Sequence, residues 1–310
     1  MAVVRKDFTF LSTVGDLEIH AVSWKPEKKK IKGIFQIIHG MAEHIDRYVE
    51  FAEFMAENGY AVYGHDHIGH GDSTNCKYFW GYFGINNTNG RVFVADAREL
   101  MKIAESEHPG LPIILFGHSM GSLIARHFAA IYGERLAGAI FCGTVGPNPA
   151  AGVAIKLCDI MSAIDSPMAE GKLIDKLALG TYNNRTEKRT PSDWLSRDTA
   201  VVDAFVNDPR TGFYFTNRGF RDMLSLLKFV NSNKCAKWTY FRLPILLVAG
   251  TEDPCGNYGE GVKAVARKLR FYDHIVDEIY YEGARHEILN ELEKEKTMQD
   301  ILEWSNRKIS

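Results

Sequence analysis

The chain has 310 residues, 45% of them hydrophobic and 25% charged, with a formal net charge of −2. That length buries a substantial core, as one α/β domain or as a core with one insertion. The charge leaves no basic excess to neutralise phosphates, which speaks against a nucleic-acid binder.

Five cysteines (Cys76, Cys142, Cys158, Cys235 and Cys255) are odd in number and widely spaced, with no CxxC. Reduced thiols in a cytoplasmic protein are expected. The opening MAVVRKDFTFLST carries no apolar run or cleavage site, so no signal peptide is expected, and no stretch approaches a membrane-spanning length.

In chain order, FTFLST and LEIHAVSW alternate about Gly15-Asp16 and predict an antiparallel hairpin. The basic run KPEKKKIK, Lys25 to Lys32, is expected as a solvated hairpin loop. GIFQIIHG predicts a buried strand, RYVEFAEFMAENG a helix closing at a glycine, and YAVYGHD the next strand. The aromatic residues Tyr60, Tyr63, Phe79, Trp80, Tyr82 and Phe83 are expected to pack. A helix over about 92–106 is followed by strand PIILFGHS, helix MGSLIARHFAAIYG and strand AGAIFCG. Continuous apolar strands alternating with helices predict the α/β class, with a mainly parallel sheet flanked by helices on both faces.

From Gly146 to Arg242 the alternation lapses into AGVAIKLCDIMSAI, GKLIDKLAL and FRDMLSLLKFV, broken by five prolines. It resumes with LPILLVAG, a helix near 259–269, strand DEIYYEG and a terminal helix over about 291–307. The expected organisation is a core of residues 1–145 and 243–310, interrupted by a helical cap or lid at 146–242.

The strongest chemical signal is GHSMG, Gly117 to Gly121, between a buried strand and an amphipathic helix. A sharp strand-to-helix turn there would push the Ser119 hydroxyl out at the end of the strand, with glycines easing the crowded backbone. A serine hydroxyl needs a base, and the base an orienting carboxylate. After LPILLVAG, TEDP offers Glu252 and Asp253; after DEIYYEG, ARHE offers His286. Periodicity does not separate the two adjacent acids. Beyond His127 the other histidine is His274, which precedes the last strand and belongs at the opposite edge of the sheet. Two backbone amides would form an oxyanion hole: that of Met120, after the nucleophile, and that of Met41, in the loop HGMAEH.

HDHIGHGDS, His65 to Ser73, gathers three histidines and two aspartates. Its spacing matches no metal motif such as HExxH, and Gly69 and Gly71 mark tight turns. Asp66, Asp72, His65, His67 and His70 are therefore expected as loop scaffolding that steadies the wall beside His39-Gly40-Met41.

IIHGMAEHIDRY, HDHIGHGDS, PGLPIILFGHSMG, GTEDP and EGARHEILNE together resemble the α/β-hydrolase fold. More narrowly, they resemble its monoacylglycerol lipase and lysophospholipase branch, which shares its domain type with the serine aminopeptidases. The resemblance covers roughly residues 10–145 and 240–305. It implies Ser119 as nucleophile, His286 as base, Asp253 rather than Glu252 as acid, and the Met41 and Met120 amides as the oxyanion hole. No metal or organic cofactor is implied, and the implied partner is a small-molecule ester or lipid. Separately, the apolar stripe of AGVAIKLCDIMSAI is expected to pack on the core, transient membrane contact through the cap being its alternative. Ser122 departs from the glycine usual after GHSMG. The alternatives on the same fold are an aminopeptidase, which needs cap carboxylates to hold an amine, and an acyltransferase. A non-catalytic binding module is the reading from another class, against which all three triad positions are filled.

Overall fold

The computed structural model describes residues 2–74, 76–84 and 87–309. Eight strands form one sheet in the order β1-β2-β4-β3-β5-β6-β7-β8. They are β1 (Val3–Leu11), β2 (Glu18–Pro26), β3 (Gly33–Ile38), β4 (Tyr60–His65), β5 (Ile113–His118), β6 (Gly138–Cys142), β7 (Ile245–Gly250) and β8 (Val276–Tyr281). β1 pairs antiparallel with β2, and β2 with β4; every other pairing is parallel. This is the α/β-hydrolase sheet.

KPEKKKIK does not close a hairpin. Its first two residues end β2, and β4 lies between β2 and β3, so the chain crosses the end of β4. Two strand-like flanks say nothing about which strand will come between them.

The fully buried residues of β3 and β5 alternate between faces, as a period of two dictates. Ile34, Ile38, Ile113 and Leu115 join one apolar layer; Phe35, Ile37, Ile114 and Phe116 join the other. The second layer is closed by α1 (Val49–Glu57) and the C-terminal α10 (Lys294–Ile309), through Phe51, Met55, Ile301 and Trp304. The first is closed by α2 (Arg91–Glu107), α3 (Met120–Tyr132) and α9 (Glu260–Phe271), through Leu100, Ile124, Phe128 and Val265. Tyr60, Tyr63 and Phe83 are buried as expected, whereas Phe79 is exposed.

Between β6 and β7 run α4 (Ala151–Ile164), α5 (Lys172–Leu179), α6 (Thr199–Asn207), α7 (Asn217–Val230) and α8 (Asn233–Trp238). α7 buries Leu224, Leu227 and Val230 in the same layer as α3. The segment's two ends are stitched together from below. Buried Arg126 donates to Val145 O, Val230 O and Asn231 Oδ1, and Asn231 Nδ2 donates to Val145 O and Gly146 O. With Lys268 on Asn231 O, two cations sit at the C-terminus of α7, where the helix dipole favours them. Among the described residues no helix is long and apolar enough to cross a membrane.

Four buried histidines lie under the β4 end of the sheet. His39, His65, His67 and His70 form a chain of ring contacts with centroids 4.1 to 5.8 Å apart. Burial holds all four neutral: His67 is lowered to about 4, His70 to about 3, and His39 and His65 well below 6.5. The unfolded chain would protonate them near 6.5, so between about 6.5 and 4 it binds more protons than the fold. Stability therefore falls as pH drops through that window, each pKa unit per histidine being worth on the order of 1.4 kcal/mol. His20, raised to about 9 by its hydrogen bond to Asp66, acts oppositely: its contribution is complete below 6.5 and lost as pH rises towards 9. Thermal melts across pH are expected to show a steep loss of Tm from pH 6.5 to 4, and a shallower loss from 6.5 to 9 that His20→Gln diminishes.

Candidate active site

Ser119 sits between β5 and α3 with φ 54° and ψ −119°, a left-handed conformation that a non-glycine residue keeps only under constraint from its surroundings. The constraint is visible on both sides. A Cβ at Gly117 would come within 2.3 Å of Gly121 O, and one at Gly121 within 2.1 Å of Ile38 O and 2.5 Å of His39 O. Only glycines let the turn close this tightly and let α3 seat against the end of β3. Ser119 N donates to Cys142 O at 2.9 Å, and the Ser122 hydroxyl donates to Ser119 O at 2.6 Å. The residue that departs from the usual pattern thus adds a bond beneath the turn.

His286, in the loop after β8, places Nδ1 2.9 Å from Asp253 Oδ1, in the loop after β7. Both are buried, and the same aspartate oxygen accepts the Cys255 amide at 2.8 Å. Burial opposes a charged imidazole, but the Asp253 carboxylate outweighs it and holds His286 above its ordinary value. Glu252 points elsewhere, to an exposed ion pair with Arg185. Of the two adjacent acids, Asp253 is therefore the one that faces His286. His274 lies apart, bonded to Ala236 O.

Ser119 and His286 open on one cavity of about 460 Å³, walled by Met41, Trp194 and His118 and roofed by residues of the helical segment such as Leu179 and Phe213. Gly40 abuts the nucleophile, since a Cβ there would stand 3.2 Å from Ser119 Cβ. Neither the Met41 nor the Met120 amide donates to an acceptor among the described residues. The site thus joins a strained hydroxyl, a carboxylate-oriented imidazole and two unpartnered amides, on elements distant in sequence.

A family described as serine aminopeptidase, S33, matches residues 29–293. The chain belongs to this family. A monoacylglycerol lipase of Mycolicibacterium smegmatis is 29% identical over 295 residues, 94% of either chain. The monoglyceride lipase of Mus musculus is 28% identical over 93% of this chain and 86% of that one. Among solved structures, a thermostable carboxyl esterase from Bacillus coagulans, in complex with glycerol, matches with a TM-score of 0.91 at 32% identity, covering 99% of both chains. Fold and family together make the protein a serine hydrolase.

In this hydrolase the loop that carries Met41 is held from below by histidine. His39 Nδ1–H donates to Gly40 O at 2.9 Å, and that carbonyl belongs to the peptide unit whose N–H is Met41's. In a trans peptide the two groups point in opposite directions, so the bond aims the Met41 amide away from His39. His39 Nε2 accepts the His67 amide at 3.0 Å, and His67 Nε2–H donates back to His39 O at 3.1 Å. HDHIGHGDS therefore grips the loop before Met41. Its hub is Asp66, which accepts the Ile45 amide at 2.7 Å, the Asp72 amide at 2.9 Å and His20 Nδ1 at 2.9 Å. Gly71 is required there, because a Cβ would come within 2.4 Å of the Asp66 carboxyl.

His20, Asp66 and Asp72 do lie close enough to surround a cation, as do Asp253, Cys255 and His286. The oxygens of Asp66 already accept two amides and an imidazole, and Asp253 already orients His286. The Asp66 carboxylate is thus committed to the fold, and Asp253 Oδ1 to His286 and the Cys255 amide.

One buried group of charges was not anticipated from sequence: Glu43, Arg47, Tyr48 and Glu287. Glu43 accepts the Gly40 amide at 2.5 Å and the Tyr48 hydroxyl at 2.8 Å, and Arg47 bridges Glu43 and Glu287. The EHIDRY spacing puts Glu43 four residues before Arg47, a weak signal, and nothing in sequence points across to residue 287.

Asp66→Ala removes the acceptor of three hydrogen bonds in a buried turn. The expected result is a loss of about 3–5 kcal/mol in unfolding free energy together with reduced turnover. Both should be indifferent to EDTA; wild-type activity lost in EDTA and restored by zinc would assign the turn to a metal instead.

Proposed function

We propose that this hydrolase cleaves carboxylic esters with lipid-like acyl chains, monoacylglycerols and lysophospholipids among them, through an acyl-enzyme on Ser119. The observation that carries the reading is the buried His286–Asp253 pair, 2.9 Å apart, opening on the same cavity as the strained Ser119. In it, Ser119 Oγ attacks the ester carbonyl while His286 Nε2 takes its proton. Asp253 keeps the Nδ1–H tautomer and stabilises the imidazolium that forms. The carbonyl oxygen becomes negative facing the Met41 and Met120 amides, each such donor being worth about 3 kcal/mol in the transition state. His286 then protonates the departing alkoxide, and water, deprotonated by His286, releases the acid and restores Ser119.

The helical segment 146–242 acts as the cap over the core of residues 1–145 and 243–310. Its carboxylates argue for an ester rather than a peptide with a free amine. Glu170 pairs with Lys172, Asp193 with the Thr190 hydroxyl, Asp203 with Arg189 and Asp208 with His44, while Asp198 caps α6. Of the segment's acids Asp175 lines the cavity, and the two other acids that line it, Glu43 and Glu287, are both engaged by Arg47. Apolar lining from Leu179, Leu195, Phe205 and Phe213 suits an acyl chain. Five unpaired thiols, four of them buried, accord with a reducing, cytoplasmic setting.

Ser119→Ala should leave less than about a thousandth of wild-type turnover with the fold intact. A fluorophosphonate probe should label Ser119. Rates on p-nitrophenyl esters from acetyl to palmitoyl, then on monoacylglycerol and lysophosphatidylcholine, rank the substrates. A folded protein whose Ser119 does not label sinks the enzyme reading; a sharp acetyl optimum with no lipid turnover sinks the lipase reading.

The cap also offers a surface for lipid contact. Val153, Ile160 and Ile164 lie on one side of α4 at 72%, 54% and 70% exposure, and Leu173 and Leu177 of α5 are exposed as well. α5 carries Asp175 and Leu179 of the cavity wall, so the Leu173 and Leu177 part of this surface lies on a helix that roofs the site. The double change Ile160→Asp, Ile164→Asp is expected to abolish co-sedimentation with liposomes while short-chain ester hydrolysis persists. Undiminished co-sedimentation would place the contact elsewhere.

A further inference from the structure

Arg47 stands where two loops meet. One arm of its guanidinium is bidentate to Glu287, with Nη1–Oε1 2.5 Å and Nη2–Oε2 2.6 Å; Nη1 also donates to Glu43 Oε2 at 2.7 Å. Glu43 accepts the Gly40 amide, one peptide before that of Met41, and Glu287 directly follows His286. The arginine side chain is 12% exposed and each carboxylate 4%. Its open face is covered by the Phe205 ring of α6, 4.8 Å away. One guanidinium therefore links the peptide beside an oxyanion donor to the residue beside the base, and the acyl-transfer steps use none of the three groups.

The charges do not cancel. Burial opposes ionisation of both acids. For Glu43, the hydrogen bond from His118 and the charge of Arg47 outweigh burial; for Glu287, Arg47 does. Both stay below the ordinary carboxylate value, and among the described residues no second Lys or Arg pairs with either. Two negative charges and one positive leave a net negative charge on these three side chains, with the His118 imidazole 3.5 Å from Glu43 as a further partner. Such a charge favours an imidazolium at His286 and disfavours an oxyanion at Met41, so the guanidinium between the acids sets the balance.

We infer that Arg47 is a positioning residue: it fixes the oxyanion loop against the loop of His286 and balances the two buried carboxylates between them. The inference rests on the ester-hydrolase reading of the same site.

His286 is faced by Asp253 from the loop after β7, by Glu287 on its own loop and by Glu43 from the loop after β3. His118, at the end of β5, stacks at 4.7 Å, and the thiols of Cys142 and Cys255 lie beside the same acids. Removing the Arg47 charge leaves these acids less compensated and favours protonated His286; removing the Glu287 charge does the reverse. The base works when neutral, so the acid limb of kcat/KM should move to higher pH in Arg47→Gln and to lower pH in Glu287→Gln, by about one unit each. Loosened structure alone would not move the two limbs in opposite directions.

The experiment measures kcat, KM, the pH profile and Tm on one short-chain ester, with fluorophosphonate labelling of Ser119 in every variant. Arg47→Gln is expected to lower kcat about 100-fold with KM changed less than about threefold. Arg47→Lys, which keeps the charge without the fork, should recover about tenfold of that loss. A folded Arg47→Gln with wild-type kcat, or limbs that move together in Arg47→Gln and Glu287→Gln, overturns the inference. Should Arg47→Gln not fold, Glu43→Gln and Glu287→Gln carry the test, because glutamine preserves shape and an acceptor oxygen. There, a reduced kcat in Glu43→Gln and a downward limb in Glu287→Gln support it; wild-type values in both overturn it. Failure of wild-type Ser119 to label would instead defeat the ester-hydrolase reading.

Discussion

The site depends on one close approach of backbone to backbone. The first turn of α3 rests against the end of β3 so tightly that a Cβ at Gly121 would stand 2.1 Å from Ile38 O. That contact sets the reactive geometry in two ways at once. It drives Ser119 into a left-handed conformation, with Gly117 yielding on the other side, and it brings the loop after β3 against the nucleophile. The strain, about 1–3 kcal/mol for such a residue, is sustained by the surrounding sheet, whose strands β3, β5 and β6 are buried throughout. A hydroxyl held this way needs no reorganisation when a carbonyl arrives.

Around that contact, the chemistry turns on which groups are charged. Beneath the oxyanion loop the protein uses neutral imidazoles: His39 can donate from Nδ1 and accept at Nε2 only while uncharged, and its burial next to His67 and His70 keeps it so. Beside the base it uses ions instead, with Asp253 stabilising the proton that His286 acquires. The two regions ask for opposite protonation behaviour from the same residue type, and burial with or without a carboxylate supplies it. His20 makes the same point at the rim. Its partner Asp66 raises it to about 9, a few residues from histidines lowered to about 3 and 4.

Much of this could be read from sequence because it is local. GHSMG carries the turn within five residues, the buried strands are continuous apolar runs, and α4 spans the very stretch AGVAIKLCDIMSAI. HDHIGHGDS could be read as a brace because its glycines mark turns, although its partner His39 lies in the loop after β3. Several things could not be read. Choosing Asp253 over Glu252 needs the direction of each side chain, which a period of two does not give for neighbours on a loop. The path of KPEKKKIK depends on β4 entering between β2 and β3. α6 and α8 are short and owe their helicity to caps, Asp198 and Ser232, more than to any apolar period. Arg47 and Glu287 are 240 residues apart, and only the closed fold makes them neighbours.

The cap is tied to both loops that the chemistry uses. Segment 193–197 is bonded to the loop of His286: the Glu287 amide donates to Leu195 O, Arg285 to Asp193 O, and Arg197 pairs with Glu291. Segment 208–212 is bonded to the oxyanion loop: the Gly212 amide donates to Ala42 O, His44 meets Asp208, and Arg210 meets Asp46. The cap is further attached at the stitched root of Arg126 and Asn231, at Gly81 through Thr216 and at the Asn89 amide through Ser225. A cap held at the root alone could swing without disturbing the triad. Because segment 146–242 also grips the loops bearing Met41 and His286, a displacement of that segment is transmitted to both loops.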